Sequence, residues 1–144
     1  MKYSHIYKTD CYGIALCRAE NALTSFYDER LKQVGITVKQ FCLLENLKIL
    51  QEASTGELAE RVNLERSTLT RNIQILTAKG WIYDRAESGK RAHKYALTAE
   101  GLTILNKASE IWDVVQNDVE EIIGKDDVKN FMDILYRIQN LNRK

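Results

Sequence analysis

The stretch STGELAERVNLERSTLTRNIQILTAKG, residues 54–80, decides the fold. Ser54 and Glu57 have the spacing of a capping box, which predicts that a short helix starts at Ser54. Asn63 ends that helix, because asparagine tolerates the left-handed conformation that a tight turn needs. A second helix is predicted over residues 65–79. Two short helices joined by a tight turn indicate a helix-turn-helix.

The second helix of this pair has two chemically different faces. Leu69, Ile73 and Leu76 follow each other at helical spacing and form its predicted buried side. The opposite side carries cations and hydroxyls rather than the glutamate and lysine mixture of an ordinary solvated helix. The residues at or near it are Arg66, Ser67, Thr68, Thr70, Arg71 and Gln74. Such groups hold phosphates and bond base edges, so we expect this side to contact double-stranded DNA.

A β-hairpin is predicted after the second helix. Residues 81–85 and 91–97 are short and rich in β-compatible side chains, and a glycine-containing loop separates them. The hairpin tip, residues 88–91, brings two adjacent cations that suit a narrow minor groove. The predicted DNA contacts of the hairpin are Arg85, Lys90 and Arg91. Residues 36–98 are therefore interpreted as a winged helix-turn-helix whose wing is residues 81–97.

Positive charge is concentrated in the same region. The whole chain carries 21 Lys and Arg against 20 Asp and Glu, a net charge of +1. Residues 61–94 hold eight of those cations and three of the acids, whereas the rest of the chain holds 13 cations and 17 acids. A nearly neutral protein that gathers cations in one quarter of its length is typical of a phosphate-binding module on a neutral scaffold.

Helices with long apolar stripes flank the winged helix. The first, residues 12–31, aligns apolar side chains at steps of three and four, and two further helices follow from Thr98 and from Asp126. A single subunit of this size can cover only part of these stripes, so we expect a second copy to bury the rest. We interpret residues 1–34 and 99–144 as dimerisation helices of a homodimer. The predicted fold is one mostly α (α+β) domain, residues 1–144.

Composition excludes several other classes. The 144 residues contain no proline and seven glycines, which favours helices over a turn-rich β fold. No apolar run is long enough for a membrane span, and the first ten residues are polar, so we expect a cytoplasmic protein without a membrane partner. The sequence has no nucleophile elbow, phosphate loop or Cys-x-x-Cys pair. We therefore expect no enzyme, no catalytic residue, no metal and no cofactor.

Five motifs, in this order, resemble the MarR family of bacterial transcriptional regulators. They are ELAER at 57–61, ERSTLTR at 65–71, KGWI at 79–82, KR at 90–91 and LTAEG at 97–101. The resemblance implies a homodimer with interlocked terminal helices, a recognition helix in each of two successive major grooves, and wings on the flanking minor grooves. A two-fold axis predicts a pseudo-palindromic operator with half-sites about one helical turn apart.

One position departs from the family pattern. The wing of the family usually carries an acid two residues before its key arginine. That arginine corresponds to Arg91, and Gly89 stands where the acid is expected. Arg91 therefore lacks its usual orienting carboxylate.

The resemblance implies that a small aromatic anion binds between the dimerisation helices and the winged domain and releases the DNA. We interpret the chain as a repressor of this kind, with Tyr12 and Tyr27 as candidate ligand contacts. An alternative is a peroxide sensor, because one MarR branch uses a reactive cysteine near the start of its first helix, aided by tyrosines. Cys11 resembles that cysteine, although an ungapped alignment places the family cysteine on Gly13, about 200° away around a helix.

Two further expectations complete the interpretation. Cys17 and Cys42 lie among apolar residues in the sequence and are predicted to act as small hydrophobic side chains. The last alternative function is a winged helix that binds protein and has lost DNA contact. It would need an eroded recognition face, whereas Arg66, Thr70 and Arg71 are present.

Overall fold

The computed structural model describes residues 11–86 and 92–143 and is mostly α-helical with one small antiparallel sheet. Its elements, in chain order, are α1 (Tyr12–Leu31), a short 3₁₀ turn (Lys32–Val34), α2 (Val38–Leu50), α3 (Thr55–Val62), α4 (Arg66–Ala78), β1 (Ile82–Asp84), β2 (Tyr95–Leu97), α5 (Ala99–Ile123) and α6 (Val128–Gln139). Helices α3 and α4 are the helix-turn-helix pair, and the hairpin follows them. The predicted fold class is confirmed.

Hydrogen bonds between neighbouring residues start and stop the helices where the sequence predicts. Ser54 accepts from the Glu57 amide at 3.2 Å, and the Glu57 carboxylate accepts from the Ser54 amide at 2.7 Å, which completes the capping box. Asn63 ends α3 in the left-handed region, with φ of 49°. The Thr98 hydroxyl accepts from the Gly101 amide at 3.0 Å and starts α5.

The last helix begins one residue later than predicted. Asp127, not Asp126, precedes α6, and its side chain makes no capping hydrogen bond. The Asp127 amide donates to the Gly124 carbonyl at 2.9 Å and closes a turn. Because this turn occupies residues 124–127, the helix starts only at Val128.

The wing hairpin is shorter than predicted. Its strands pair Ile82 with Leu97 and Asp84 with Tyr95, so the second strand starts at Tyr95 rather than at residue 91. His93 therefore lies before the strand, not within it. The Asp84 carboxylate accepts from the Lys94 amide at 3.1 Å, and this contact takes a donor that a longer strand would use. Lys90 and Arg91, predicted to contact DNA, lie outside the described residues.

The hydrophobic core lies beneath the helix-turn-helix. Several leucines from α2, α3, α4 and α5 are fully buried there. The examples are Leu44, Leu47, Leu58, Leu69, Leu76 and Leu105. This core supports α4 from one side only and leaves its other side at the surface.

The apolar stripes of the terminal helices are largely uncovered in one chain. Tyr12 is 84% exposed, and Leu16 and Leu23 on α1 are also exposed. Helix α6 buries none of its residues. In the part of the chain that the structure describes, no helix is both long and apolar enough to cross a lipid bilayer.

Candidate nucleic-acid interface

Helix α4 presents the predicted polar side to the surface. Leu69, Ile73 and Leu76 are buried as predicted, so the helix is anchored by its apolar face. Of the six predicted contact residues on the opposite side, five are exposed: Arg66, Ser67, Thr70, Arg71 and Gln74. Thr68 is half-buried, and its backbone carbonyl accepts from the Asn72 side chain at 3.0 Å.

The exposed arginines are available for an anion. Among residues 11–86 and 92–143, no carboxylate pairs with Arg66 or Arg71 within ion-pair distance. From Arg66 to Gln74 the helix rises about 12 Å, and a major groove is wide enough to admit an α-helix. This side of α4 can therefore place two guanidinium groups and several hydroxyls along one groove.

Asp84 organises the base of the wing. Its Oδ1 accepts from the amides of Ala86, at 2.9 Å, and Lys94, at 3.1 Å, while Oδ2 contacts Nδ1 of His93. The hydrogen bond from the Ala86 amide contributes most to lowering the pKa of the Asp84 carboxyl, and the bond with the His93 side chain contributes next. Tyr95 stacks against His93, with ring centroids 6.0 Å apart. These contacts join both arms of the hairpin next to the segment that would meet DNA.

Two ion pairs fasten the wing to the helix-turn-helix. Arg85, predicted to contact DNA, pairs with Glu52 at 3.1 Å, although half of its side chain is exposed. Lys94 pairs at 3.3 Å with Glu57, the same carboxylate that caps α3. The pair with Glu52 turns the Arg85 guanidinium toward the protein, so an Arg85 contact with phosphate would have to replace it.

Sequence reasoning missed the buried contact that holds α4 against α2. Gln40 Nε2 donates to Asn72 Oδ1 at 3.1 Å, and both residues are buried. Asn72 carried a usable signal, because it interrupts the apolar face formed by Leu69, Ile73 and Leu76. A polar residue on the buried side of a helix indicates a specific partner. Identifying Gln40 as that partner required the tertiary structure.

The three predicted ligand or redox residues are not brought together within one chain. Tyr27 is buried, and its hydroxyl donates to Oε1 of Gln116 on α5. Burial is the main cause that raises the pKa of the Tyr27 phenol, and the nearby Cys42 and Glu120 raise it further. Cys11 and Tyr12 are exposed at the start of α1. Tyr27 lies sixteen positions after Cys11 along α1, a rise of about 24 Å.

The other two cysteines lie at the surface of the single chain. Cys17 and Cys42 are both exposed, so neither packs into the core of one subunit, and that they act as small hydrophobic side chains stays a prediction. The apolar neighbours of Cys17 in the sequence lie on the uncovered half of α1. Although Cys42 is partly accessible to solvent, desolvation of its thiol raises the pKa of Cys42, and the nearby Glu45 raises it further.

Several cavities adjoin α1, and two of them have linings suited to the predicted roles. One of about 460 Å³ lies between α1, α5 and α6 and has an apolar lining that includes Phe26, Tyr27 and Leu135. The other, of about 380 Å³, lies between α1 and the helix-turn-helix and includes Lys39 and Cys42. Among the residues described, no three His, Cys, Asp or Glu side chains form a group that could hold a metal ion.

Comparison with known proteins identifies relatives of this arrangement. A sequence model of the MarR family matches residues 34–92. The HTH-type transcriptional regulator SarZ of Staphylococcus epidermidis is 26% identical over 114 residues, which cover 74% of this chain and 76% of that protein. The M. tuberculosis transcriptional regulator MosR, solved in complex with DNA, is 30% identical and has a TM-score of 0.77. That match covers 94% of this chain and 100% of the MosR chain.

A more distant solved structure shares the fold. A mutant of MarR from E. coli, complexed with operator DNA, has a TM-score of 0.78 at 20% identity. The match covers 88% of this chain and 91% of that chain. The similarity therefore extends well beyond the helix-turn-helix into the terminal helices.

Proposed function

This chain belongs to the MarR family of transcriptional regulators, and from that premise we propose that it binds a pseudo-palindromic operator as a homodimer and represses transcription. As a member of the family it is a DNA-binding regulator, not an enzyme. The proposed DNA contacts are Arg66, Ser67, Thr68, Thr70, Arg71 and Gln74 on α4, with Arg85, Lys90 and Arg91 from the wing.

The observation that carries the proposal is the outer side of α4. Arg66, Thr70 and Arg71 are exposed together on a helix whose other side is anchored in the core. Arginine side chains on such a surface neutralise phosphates and bond guanine edges, and both contacts need the guanidinium outside the protein. A winged helix that only binds protein has no need for this set of groups.

The uncovered apolar surface of the terminal helices supports the homodimer. Phe131, Leu135 and Leu23 border one apolar groove between α1, α5 and α6. The same surface of a second copy can cover such an apolar groove, and the apolar area that this removes from water stabilises the dimer. The two-fold axis of such a dimer would place two α4 helices on successive major grooves of one DNA face.

The cavity between α1 and the helix-turn-helix supports release by a small aromatic anion. Its volume of about 380 Å³ is within the range of small-molecule sites, and Lys39 supplies a cation beside apolar side chains such as Val38 and Leu64. It adjoins Asn63, which forms the turn between α3 and α4. A ligand there would release DNA if it bound more tightly to a dimer whose α4 helices are misplaced.

Redox sensing through Cys11 stays an alternative prediction. Cys11 is exposed directly before the first turn of α1, which makes it accessible to a hydroperoxide. Tyr12 of the same chain follows Cys11 directly, whereas Tyr27 of the same chain lies about 24 Å along the helix, so only a second copy could bring a Tyr27 to the cysteine.

A DNA-binding titration tests the main proposal. Duplexes are selected from a random-sequence library by the wild-type protein, and their affinity is measured by fluorescence anisotropy at several salt concentrations. We expect Arg66→Ala and Arg71→Ala each to weaken binding about ten- to hundredfold and to reduce the salt slope. Lys107→Ala, an exposed cation on α5, is the matched control and should leave both unchanged. Unchanged affinity and salt slope in the Arg66→Ala, Arg71→Ala double variant would overturn the assignment of α4.

A further inference from the structure

Gln40 and Asn72 form a buried polar contact within an otherwise apolar core. Gln40 is 6% exposed and Asn72 is 8% exposed, and their side chains join α2 to α4 through one hydrogen bond of 3.1 Å. Leu69, Ile73 and Leu76 provide the apolar part of the same face of α4. Burial of two amides costs free energy that another leucine pair would not, so the contact calls for a role other than stability alone.

Each of the two amides has a set of partners that fixes its orientation. Oε1 of Gln40 accepts from the Thr37 amide at 3.2 Å, which leaves Nε2 directed to Asn72. Nδ2 of Asn72 donates to the Thr68 carbonyl at 3.0 Å, which leaves Oδ1 directed to Gln40. In the described part of the chain, no buried side-chain nitrogen or oxygen is left without a partner. The contact therefore has one arrangement.

These bonds continue a path that begins on α1. Oδ1 of Asp28 accepts from the Val38 amide at 2.7 Å, so a side chain of α1 holds the first turn of α2. The capping box at that turn orients Gln40, and Gln40 holds Asn72. Asn72 then donates to the backbone carbonyl of Thr68, one turn earlier in α4. Directional bonds thus connect the frame of the proposed dimer to the helix that carries Arg66 and Arg71.

Directional bonds limit a motion that apolar packing permits. Hydrophobic contact is non-directional, whereas a hydrogen bond weakens steeply when its angle or its distance changes. A rotation of α4 by about 10° moves a side-chain tip that lies about 6 Å from the helix axis by about 1 Å. A base-edge hydrogen bond does not survive a displacement of that size easily, but a long arginine can still follow a phosphate.

We propose that Gln40 and Asn72 are positioning residues for sequence discrimination: their contact sets the rotation of α4 about its own axis. The inference rests on the proposed function, because it assumes that α4 meets base edges. Under this proposal the two residues affect how well the protein distinguishes its operator from other sequences, and not its affinity for duplex DNA in general. Loss of the contact lowers the preference for the operator and spares non-specific binding to duplex DNA.

The test uses the full chain and a variant in which both amides are replaced by apolar side chains, Gln40→Met with Asn72→Leu. The probes are a duplex that the wild type selects from a random-sequence library and a scrambled duplex of the same length and composition. We expect the ratio of the two dissociation constants to fall at least tenfold. Affinity for the scrambled duplex and the salt slope stay within twofold of wild type.

Two other variants separate positioning from general damage. Asn72→Ala removes both Asn72 bonds with a different change in volume, and it is expected to lower the ratio as well, so the result does not depend on the double variant folding. Ile73→Val is the matched control, since it removes a buried methyl group from the same face of α4 without touching the amides. It should lower the melting temperature and leave the ratio unchanged.

Three outcomes would contradict the positioning role or the proposed function. An unchanged ratio in both amide variants, with the wild type still discriminating, overturns the positioning role alone. Equal weakening on both duplexes also overturns it, because it indicates a merely structural role. If the wild type selects no sequence from the library, the proposed function fails, and this inference fails with it.

Discussion

Asp84 and His93 pair across the base of the wing, where the two arms of the hairpin leave the sheet. The same Asp84 carboxylate accepts the amides of Ala86 and Lys94. One side chain thus ties the two arms of the hairpin together at its base.

Acid is expected to loosen the wing. The pKa of Asp84 is lowered in the folded state, so its stabilising contribution is present above the unfolded-state pKa of about 3.9 and is lost as the pH falls through the folded-state pKa. Amide hydrogen exchange at Ala86 and Lys94 should therefore show protection at pH 7 that declines below about pH 4. In Asp84→Ala both amides should lose protection at either pH. Asp118→Ala, an exposed acid on α5, is the control, and equal protection in the two variants would contradict the prediction.

The capping box of α3 is expected to matter more for stability than the ion pair attached to it. Ser54→Ala removes the acceptor for the Glu57 amide and should lower the free energy of unfolding by about 1 kcal/mol. Lys94→Ala removes only a solvent-exposed ion pair with Glu57 and should have a smaller effect. Urea denaturation of both variants measures the difference. A larger loss in Lys94→Ala would mean that the ion pair, not the cap, holds the start of α3.

Two glycines that look alike in sequence should respond oppositely to alanine. A Cβ at Gly101 would lie 1.9 Å from the Trp81 carbonyl oxygen, because the first turn of α5 lies against the backbone directly before β1. Gly101→Ala should cost about 3 kcal/mol or more. Gly56, on the exposed side of α3, has its nearest neighbour at 3.9 Å, and Gly56→Ala should be neutral or stabilising by up to about 1 kcal/mol. Thermal unfolding of the two alanine variants measures the difference. Similar melting temperatures for both variants would contradict the close contact between Gly101 and the Trp81 carbonyl.

A carboxylate placed in the apolar groove should separate the proposed dimer. Leu135→Glu puts a charge into the groove between α1, α5 and α6, where a second copy would have to desolvate it. Sedimentation velocity should show a dimer for wild type and a monomer for this variant. Asn130→Glu adds the same charge at an exposed position of α6 and should remain dimeric. A wild-type monomer at micromolar concentration would end the two-fold model of operator binding.

Cys11→Ser distinguishes the two sensing hypotheses. Under ligand release, which we favour, an organic hydroperoxide leaves the DNA affinity of wild type and of Cys11→Ser equally unchanged. Under redox sensing, only the wild type loses affinity, and a thiol reductant restores it. Anisotropy with the selected duplex, before and after hydroperoxide, measures both proteins, and Cys17→Ser controls for the other exposed thiol on α1.

Much of the fold could be predicted because its signals are local. A capping box needs only residues three apart, and an apolar face needs only helical spacing, so the bounds of α1 and α4 and the left-handed Asn63 followed from neighbouring residues. The polar side of α4 was predictable for the same reason, since the buried positions of a helix determine which positions remain outside. Local reasoning failed at the turn before α6, where Asp127 bonds back to Gly124 and delays the helix.

The tertiary structure alone decided which distant groups meet. Arg85 was predicted to contact DNA because it is a cation in the wing, yet folding placed it beside Glu52, which is far from it in sequence. Cys11 and Tyr27 share one helix, and its rigid rise keeps them apart. Gln40 and Asn72 are 32 positions apart in the chain, and only the tertiary fold brings their amides into contact. Helical periodicity states which way a side chain points, whereas its partner is set by how the helices cross.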